Sequence, residues 1–276
     1  MMPFFCKERN EPKPKGDGLI MLDARSLYLR SIMLRREEVP SFRSYPFSLP
    51  AVHDFYSLSF QKPVTFIVGE NGSGKSTLLE AMAVAWGFNP EGGTKNFTFE
   101  TQASHSELHR YMRLARGVIR PKDGFFFRAE SYYNVATNID QMDAEGGGGP
   151  PIRNSYGGKS LHEQSHGESF FATFMHRFGG RGLYLMDEPE AALSPLKQLS
   201  MLTRMHQLVR QRSQFIIATH SPILMSYPNA EIWQLDEEGM RLVALEDTEH
   251  YIITRKMMNN REQMLDILLE DESQSE

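Results

Sequence analysis

The stretch Gly69–Thr77, GENGSGKST, decides how this sequence folds. It matches the pattern G-x-x-x-x-G-K-[ST], in which glycines let the backbone turn so tightly that successive N–H groups point at one spot. Val64–Val68, directly before it, is the short apolar run expected of a strand that is buried on both faces. Ser76–Trp86, after it, has apolar residues at helical spacing and is followed by Gly87 as a helix stop. The sequence therefore predicts a strand, a glycine-rich turn and a helix in direct succession.

A turn of this kind at the start of a helix is suited to binding phosphate groups. Its backbone N–H groups and the positive end of the helix would face the phosphate oxygens. Lys75 would add a cation for the β- and γ-phosphates, and the hydroxyl of Ser76 would bind Mg²⁺. The predicted binding residues are Asn71, Gly72, Ser73, Gly74, Lys75, Ser76 and Thr77. We therefore expect the chain to bind a nucleoside triphosphate together with magnesium.

The second part of the site is predicted in Leu183–Glu190, LYLMDEPE. Asp187 ends an apolar strand, where its carboxylate would hold Mg²⁺ through water. Glu188 follows directly and is the natural general base for a water that attacks the γ-phosphate. Acidic pairs after strands are also common on protein surfaces, but this pair accompanies a phosphate loop. Together the two motifs predict hydrolysis of the nucleotide.

Apolar strands alternate with helices along the rest of the chain. We predict a strand at each of the ranges 27–34, 125–130, 183–186, 215–218, 231–236 and 241–246. Helices are predicted from Ser104, where Ser104–Glu107 forms a capping box, from Ser194, and around Phe171–Phe178. A last helix is expected before the acidic end of the sequence. This alternation implies an α/β fold with a largely parallel sheet.

The predicted helix after Ser104 carries the densest basic stretch of the chain. Its apolar stripe would be formed by Leu108, Tyr111, Met112 and Ala115. The basic residues are His109, Arg110, Arg113, Arg116, Arg120 and Lys122. One hypothesis is a docking face for a phosphate backbone or an acidic partner. The interpretation that we prefer is a solvated helix face paired with nearby acidic residues.

The composition excludes several classes of protein. The 276 residues are 40% hydrophobic and 24% charged, an ordinary globular balance that excludes wholesale disorder. No stretch approaches the roughly 20 consecutive apolar residues that a membrane span requires. The net charge of -5 argues against a surface coated with basic residues, although it leaves room for a local basic groove. The single cysteine, Cys6, cannot form an internal disulfide, so we expect a cytoplasmic protein.

Four motifs in order resemble those of the ATPase heads of the ABC superfamily. After the phosphate loop, Gln164–Ser169 (QSHGES) resembles the ABC signature, and Asp187–Pro195 (DEPEAALSP) resembles the run from the Walker B motif into the D-loop. Thr219 and His220, within ATHSP, resemble the H-loop. The spacing from Ser165 to Asp187 is typical of that family. The signature and the DEPEAAL run are more similar to soluble prokaryotic ATPases related to SMC heads than to transporter subunits.

The resemblance implies roles for individual residues. Glu188 and His220 would be catalytic, with His220 sensing the γ-phosphate of ATP. Ser165, Gly167 and Glu168 would act in trans on the ATP of a second copy, in an ATP-sandwich homodimer. Gln102, in a plausible Q-loop, would reach the Mg²⁺ ion along with Ser76 and Asp187. Two simpler interpretations stay open, because Ser165 could be an ordinary helix cap and His220 a core histidine.

Three positions depart from the family pattern. His166 replaces the first glycine of the usual signature, and Glu168 stands where a glutamine is commoner. Ser194 replaces the aspartate of the D-loop, which weakens the case for communication between two ATP sites. The surroundings of Gln102, TFETQASHS, are not a sharp match to a Q-loop.

The resemblance also implies an architecture. We expect an α/β P-loop NTPase fold with an ABC-type mixed sheet core, a small antiparallel β part and a compact helical lobe. The predicted domains are a flexible N-terminal arm at 1–18, a single ATPase domain at 19–268 and an acidic tail at 269–276. Within the ATPase domain, the helical lobe would span about 98–178 and contain a flexible glycine-rich loop at 143–160.

Three functions fit these observations. The first is a cytoplasmic, dimerising ATPase that drives or gates a partner protein or a nucleic acid, in a repair or phage-defence role. The second is the nucleotide-binding subunit of a membrane transporter, recruited by a separate permease because the chain has no membrane span of its own. The third is a slow, nucleotide-gated interaction module. The interval from Lys75 to Ser165 is too short for a long coiled-coil arm, which excludes a full SMC or repair rod.

Overall fold

The computed structural model describes residues 21–94, 106–145, 151–156, 166–236 and 239–269. The predicted arm at 1–18, Gln102, Ser165 and the tail beyond Leu269 lie outside these ranges.

Two sheets organise the described residues. The strands are β1 (Leu29–Leu34), β2 (Ser57–Ser59), β3 (Val64–Gly69), β4 (Met112–Arg116), β5 (Asp123–Arg128), β6 (Gly182–Asp187), β7 (Gln214–Ala218), β8 (Glu231–Asp236) and β9 (Gly239–Val243). The larger sheet has the order β5-β6-β7-β3-β8-β9 and is parallel except for the edge strand β9. The smaller sheet has the order β2-β1-β4 and is antiparallel.

Helices connect these strands. They are α1 (Pro50–His53), α2 (Lys75–Trp86), α3 (Tyr132–Glu145), α4 (His166–His176), α5 (Pro195–Arg210), α6 (Pro222–Met225), α7 (Glu249–Asn259) and α8 (Arg261–Leu269). The predicted ends of two helices are confirmed. Gly87, with φ of 106°, ends α2, and the Ser194 side chain caps α5 by accepting a hydrogen bond from the Lys197 N–H group.

The three central parallel strands are buried on both faces, as their apolar sequences predict. Every residue of β3, β6 and β7 is buried. One face of the larger sheet packs against α2 and the smaller sheet, and the other face packs against α3, α4, α5 and α6. Because neighbouring parallel strands end at the same edge, Gly69, Asp187 and Ala218 lie close together. The α/β fold with a mixed sheet and a small antiparallel part is confirmed.

The helix predicted from Ser104 is wrong. Glu107–Tyr111 forms one short 3-10 helix, and Met112–Arg116 continues as β4, which pairs with β1. Met112 is buried, Arg113 is exposed and Leu114 is half-buried, so the side chains alternate between the two faces of a strand. Over so few residues the apolar positions fit a helix or a strand equally well, and pairing with β1 decides the outcome.

The basic series is therefore not one helix face. Arg113 and Arg116 lie on β4, whereas Arg120 and Lys122 lie in the connection to β5. Arg116 stacks on the ring of Trp86, with 4.6 Å from its guanidinium carbon to the ring centroid. It also donates hydrogen bonds to the last carbonyl groups of α2. At least this arginine is used in packing within the chain.

The range predicted as a helical lobe, about 98–178, contains strands as well as helices. Strand β4 belongs to the smaller sheet, and β5 forms an edge of the larger one. The glycine-rich range 143–160 is also more structured than expected in the part that the structure describes. Helix α3 extends to Glu145, and Ile152–Tyr156 forms a 3-10 helix in which Tyr156 is only 1% exposed.

The last part of the chain forms two helices where one was expected. Neither α7 nor α8 buries a single residue. Several apolar side chains on these helices are exposed, including Ile253, Met258, Leu268 and Leu269. In the described ranges, no helix is both long enough and apolar enough to cross a bilayer.

One buried side chain joins the two sheets. Gln214, in β7, is fully buried, and its carbonyl oxygen accepts hydrogen bonds from the backbone N–H groups of Tyr28 and Leu29. Its amide group donates to the Leu29 carbonyl oxygen. Three backbone groups at the start of β1 thus depend on one side chain for their hydrogen bonds.

Replacing Gln214 with leucine should lower the free energy of unfolding by about 2–4 kcal/mol, because these backbone groups stay buried without partners. Urea denaturation measures the change, and Gln61→Leu at an exposed position is the matched control. A Gln214→Leu protein as stable as the control would contradict this role.

Candidate functional site

The phosphate loop connects β3 to α2 in a conformation that requires glycine. Gly74 immediately precedes α2 and has φ of 97°, in the left-handed region. A Cβ atom at Gly74 would lie 2.9 Å from the Cβ of Ala51, so the space is closed as well. The first N–H groups of α2 have no acceptors within the helix. The loop therefore presents hydrogen-bond donors and the positive end of a helix.

Lys75 is held by its own loop. Its ammonium group donates hydrogen bonds to the carbonyl oxygens of Gly69, at 2.8 Å, and Glu70, at 2.7 Å. The residue is only 3% exposed, and this burial lowers the pKa of Lys75. Nearby carboxylates of Glu188 and Asp187 oppose the effect. The loop thus keeps a cation next to the carboxylates that follow β6.

A hydrogen bond joins the phosphate loop to the acidic strand end. The Ser76 hydroxyl donates to Oδ1 of Asp187 at 2.9 Å. Asp187 is 4% exposed, and burial raises its pKa to about 7, although the bond from Ser76 works in the opposite direction. Two of the three predicted magnesium ligands therefore lie side by side.

Glu188 and His220 face each other beside this pair. Glu188 has φ of 47° and ψ of 54°, and its N–H group donates to the Ala218 carbonyl oxygen at 2.9 Å. Nε2 of His220 lies 3.4 Å from Oε1 of Glu188. Burial lowers the pKa of His220, and the charge of Lys75 acts in the same direction. The predicted base and the predicted sensor are thus within reach of one another.

Glu190 is a residue that sequence analysis left without a role. Its Oε1 atom accepts hydrogen bonds from the Thr219 hydroxyl at 2.7 Å and from the His220 N–H group at 2.6 Å. Burial raises the pKa of Glu190. Because Glu190 binds the backbone N–H group of His220, it fixes the position of the histidine backbone. Its place in the DEPE run, two residues after Glu188, was the signal in the sequence that could have indicated a role at this site.

His250 is a second residue that sequence analysis missed. Its Nε2 atom lies 2.8 Å from Nδ1 of His220, and the two rings meet at 60°. His250 lies in the first turn of α7, far along the chain from every predicted motif. No pattern in the sequence marks it.

A cavity of about 420 Å³ opens beside the phosphate loop. It is lined by Gly69–Ser73, by the end of β8 at 234–236, and by Pro50, Glu249 and His250. The hydroxyl oxygen of Ser73 is buried and has no hydrogen-bond partner among the described residues. The cavity therefore offers room next to polar groups of the loop.

The predicted signature residues lie at the start of α4. Gly167 and Glu168 are in its first turn, and Ser165 lies outside the described residues. A Cβ atom at Gly167 would lie 2.1 Å from the carbonyl oxygen of Ala192, which follows the DEPE run. Packing within this chain already requires a glycine there. Gln102, the remaining predicted magnesium ligand, also lies outside the described ranges.

Solved structures offer distant likenesses to this chain. An ATP-binding cassette of an ABC transporter in its ADP conformation is 16% identical, with a TM-score of 0.46, and the match covers 88% of this chain and 99% of that one. The SMC head domain from Thermotoga maritima is 16% identical, with a TM-score of 0.38 and coverage of 79% and 98%. The cbiO1 protein from Clostridium perfringens, part of an ABC transporter complex, is 16% identical, with a TM-score of 0.46 and coverage of 89% and 100%.

Sequence comparisons are more direct. Residues 40–136, which include the phosphate loop, match the family model AAA_23, described as an AAA domain. The energy-coupling factor transporter ATP-binding protein EcfA2 of Methanospirillum hungatei JF-1 is 25% identical over 251 residues, an alignment that covers 82% of this chain. This chain spans 59% of the length of that curated relative. The phosphate loop, the acidic strand end and the histidine are gathered at one sheet edge, and the chain is similar in sequence to an AAA domain and to an ATP-binding protein of a transporter.

Proposed function

We propose that this chain is an ABC-type ATPase that binds ATP with Mg²⁺ in the cytoplasm, forms an ATP-sandwich homodimer and uses hydrolysis to drive or gate a partner protein or a nucleic acid. One observation carries the proposal. Ser76 donates to Asp187 at 2.9 Å, so the phosphate loop and the acidic strand end form a single site. The pair of Glu188 and His220 stands directly next to it.

The residues present fit a magnesium ion that is bound together with a nucleotide. Ser76 and Asp187 supply the hydroxyl and carboxylate oxygens that Mg²⁺ prefers, and the ion would neutralise a buried carboxylate whose pKa is raised. The described residues contain no group of three or more His, Cys, Asp or Glu side chains that could hold a metal without other ligands. Phosphate oxygens and water would complete the coordination. When bound, the ion neutralises charge that develops on the phosphates.

Side chains of the protein bind the phosphates, accept the proton from water and position His220. Lys75 exchanges its bonds to two loop carbonyl groups for bonds to phosphate oxygens, while the N–H groups of the loop hold the same oxygens. Glu188 accepts a proton from the attacking water at its carboxylate. His220, whose pKa is lowered, donates or accepts a hydrogen bond at Nε2 as a neutral ring. Glu190 keeps the backbone of His220 in place.

The proposed homodimer rests on the resemblance of Gln164–Ser169 to the ABC signature. Ser165, Gly167 and Glu168 of the second copy would approach the γ-phosphate, with the N-terminus of α4 directed at it. The close packing of Gly167 on Ala192 ties this region to the segment that follows Glu188. ATP would thus link two copies that each supply half of a complete site.

A second candidate function is that of a nucleotide-binding subunit of a membrane transporter. It is favoured by the match to the curated ATP-binding protein of an energy-coupling factor transporter. In that case a separate membrane protein would take the place of the partner described above. The chemistry at the site would be the same for both candidates.

Asp187→Asn should stabilise the protein in metal-free buffer at pH 8 by about 1–4 kcal/mol, while it abolishes ATP hydrolysis. The folded-state pKa of about 7 lies above the unfolded value of 3.8. Ionisation of Asp187 therefore costs stability that grows as the pH rises from about 4 to about 7. The advantage of the variant should disappear near pH 4. Urea denaturation with EDTA measures it, with the exposed Asp266→Asn as control, and a pH-independent difference would contradict the assignment.

Lys75→Ala should lower the affinity for ATP by about 10- to 100-fold, because charge-assisted hydrogen bonds to phosphate are lost. Titration with a fluorescent ATP analogue measures the affinity. Lys62→Ala, at an exposed position just before β3, is the matched control. Undiminished binding by the Lys75 variant would refute the phosphate-loop assignment.

Glu188→Gln should lower kcat by about 100-fold or more but retain ATP, because the groups that bind the nucleotide remain while the base is lost. The variant should then accumulate as a closed dimer, which light scattering detects in the presence of ATP and Mg²⁺. The exposed Glu246→Gln serves as control. Hydrolysis at the wild-type rate would remove Glu188 from the mechanism.

The trapped Glu188→Gln dimer also identifies the partner when it is captured from the cells that make it. Nucleic acid that nuclease treatment releases would support a repair or defence role. A stoichiometric protein without nucleic acid would support a power or sensor subunit. A membrane-bound permease would favour the transporter candidate instead.

A further inference from the structure

We propose that His250 is a positioning residue for His220, so that the first turn of α7 sets the orientation of the histidine in the hydrolytic site. This inference rests on the proposed ATP hydrolysis. Nδ1 of His220 lies 2.8 Å from Nε2 of His250, and Nε2 of His220 lies 3.4 Å from Oε1 of Glu188. The three side chains therefore form a line that ends at the proposed base.

The hydrogen bond between the two imidazole rings fixes the orientation of the His220 ring. A hydrogen bond between two ring nitrogens requires that one carry a proton and the other accept it. With Nδ1 of His220 bound in this way, rotation of its ring about the Cβ–Cγ bond would break the contact. The other ring nitrogen is then held towards Glu188. Burial and the charge of Lys75 lower the pKa of both histidines, which favours the neutral rings that such a bond needs.

The position of His250 depends on how α7 begins. Thr248, directly before α7, is fully buried, and its hydroxyl donates to the Leu245 carbonyl oxygen at 2.7 Å. No residue of α7 is buried, so packing of the helix body does little to place it. Glu249 and His250 also line the cavity beside the phosphate loop. The same turn thus borders the cavity and contacts His220.

His250 acts through His220 in this scheme. A role only in attaching α7 to the domain would predict a loss of stability without an effect specific to turnover. A positioning role predicts a lower kcat with nearly unchanged binding of ATP. It also predicts rescue by a side chain that keeps a hydrogen-bonding atom near the place of the histidine Nε2.

Three variants separate these alternatives. His250→Ala should lower kcat about 10-fold and change the affinity for ATP by less than about 2-fold, because the base and the phosphate loop are untouched. His250→Gln should recover at least about half of the wild-type kcat, since its terminal amide can bond to Nδ1 of His220. Thr254→Ala, one turn further along the exposed face of α7, is the matched control and should behave as wild type.

Two further measurements test the positioning role even if His250→Ala is less stable than the wild type. In a His220→Ala background, His250→Ala should cause no additional loss of kcat, because the partner that it orients is gone. In nucleotide-free protein, the imidazole ¹⁵N shifts of His220 should change in His250→Ala and return towards wild type in His250→Gln. This spectroscopic signature is independent of hydrolysis.

Each outcome of these measurements either supports or overturns the positioning role of His250. A His250→Ala kcat equal to that of Thr254→Ala, an undiminished loss in the His220→Ala background, or no rescue by glutamine would each overturn the positioning role. If Lys75→Ala and Glu188→Gln leave turnover unchanged, the proposed function itself fails, and this inference fails with it. If those two variants abolish turnover while His250→Ala does not reduce it, only the present inference fails.

Discussion

Burial of the three central parallel strands on both faces is the constraint on which the rest of the structure depends. Strands β3, β6 and β7 contain no exposed residue, so groups that can reach a ligand lie where these strands end. Parallel pairing puts those ends at one edge. The phosphate loop, the acidic pair and the histidine are therefore neighbours in space although they lie far apart in the sequence. Helices on both faces maintain the burial that creates this edge.

Several polar groups of the site form hydrogen bonds with one another. Lys75 bonds to loop carbonyl groups, Ser76 to Asp187, and Glu190 to Thr219. In the proposed function, binding of a phosphate chain would exchange these hydrogen bonds for new ones, so the affinity would be a difference between two hydrogen-bonded states. The described hydrogen bonds thus hold Lys75, Ser76 and Glu190 in defined positions.

The sequence was sufficient for features that depend on local patterns. The turn at Gly74, the apolar strands and the cap at Ser194 each follow from a few adjacent residues. The stretch after Ser104 was misjudged because its short apolar pattern fits two periods, and only pairing with β1 distinguishes them. Glu190 and His250 were missed for a different reason. Their roles come from contacts with His220 across the fold, and no spacing in the sequence records such contacts.

Helix α7, which follows β9, borders the cavity beside the phosphate loop at Glu249 and His250. The rest of the cavity is lined by the phosphate loop, by Pro50 and by the end of β8, whereas α7 and α8 bury no residue. Segments with so few buried contacts open by local unfolding at a small fraction of the free energy that unfolds a core. The side of the cavity that α7 forms is therefore expected to open more readily than the sheet unfolds. Such opening would widen the cavity without disturbing the phosphate loop.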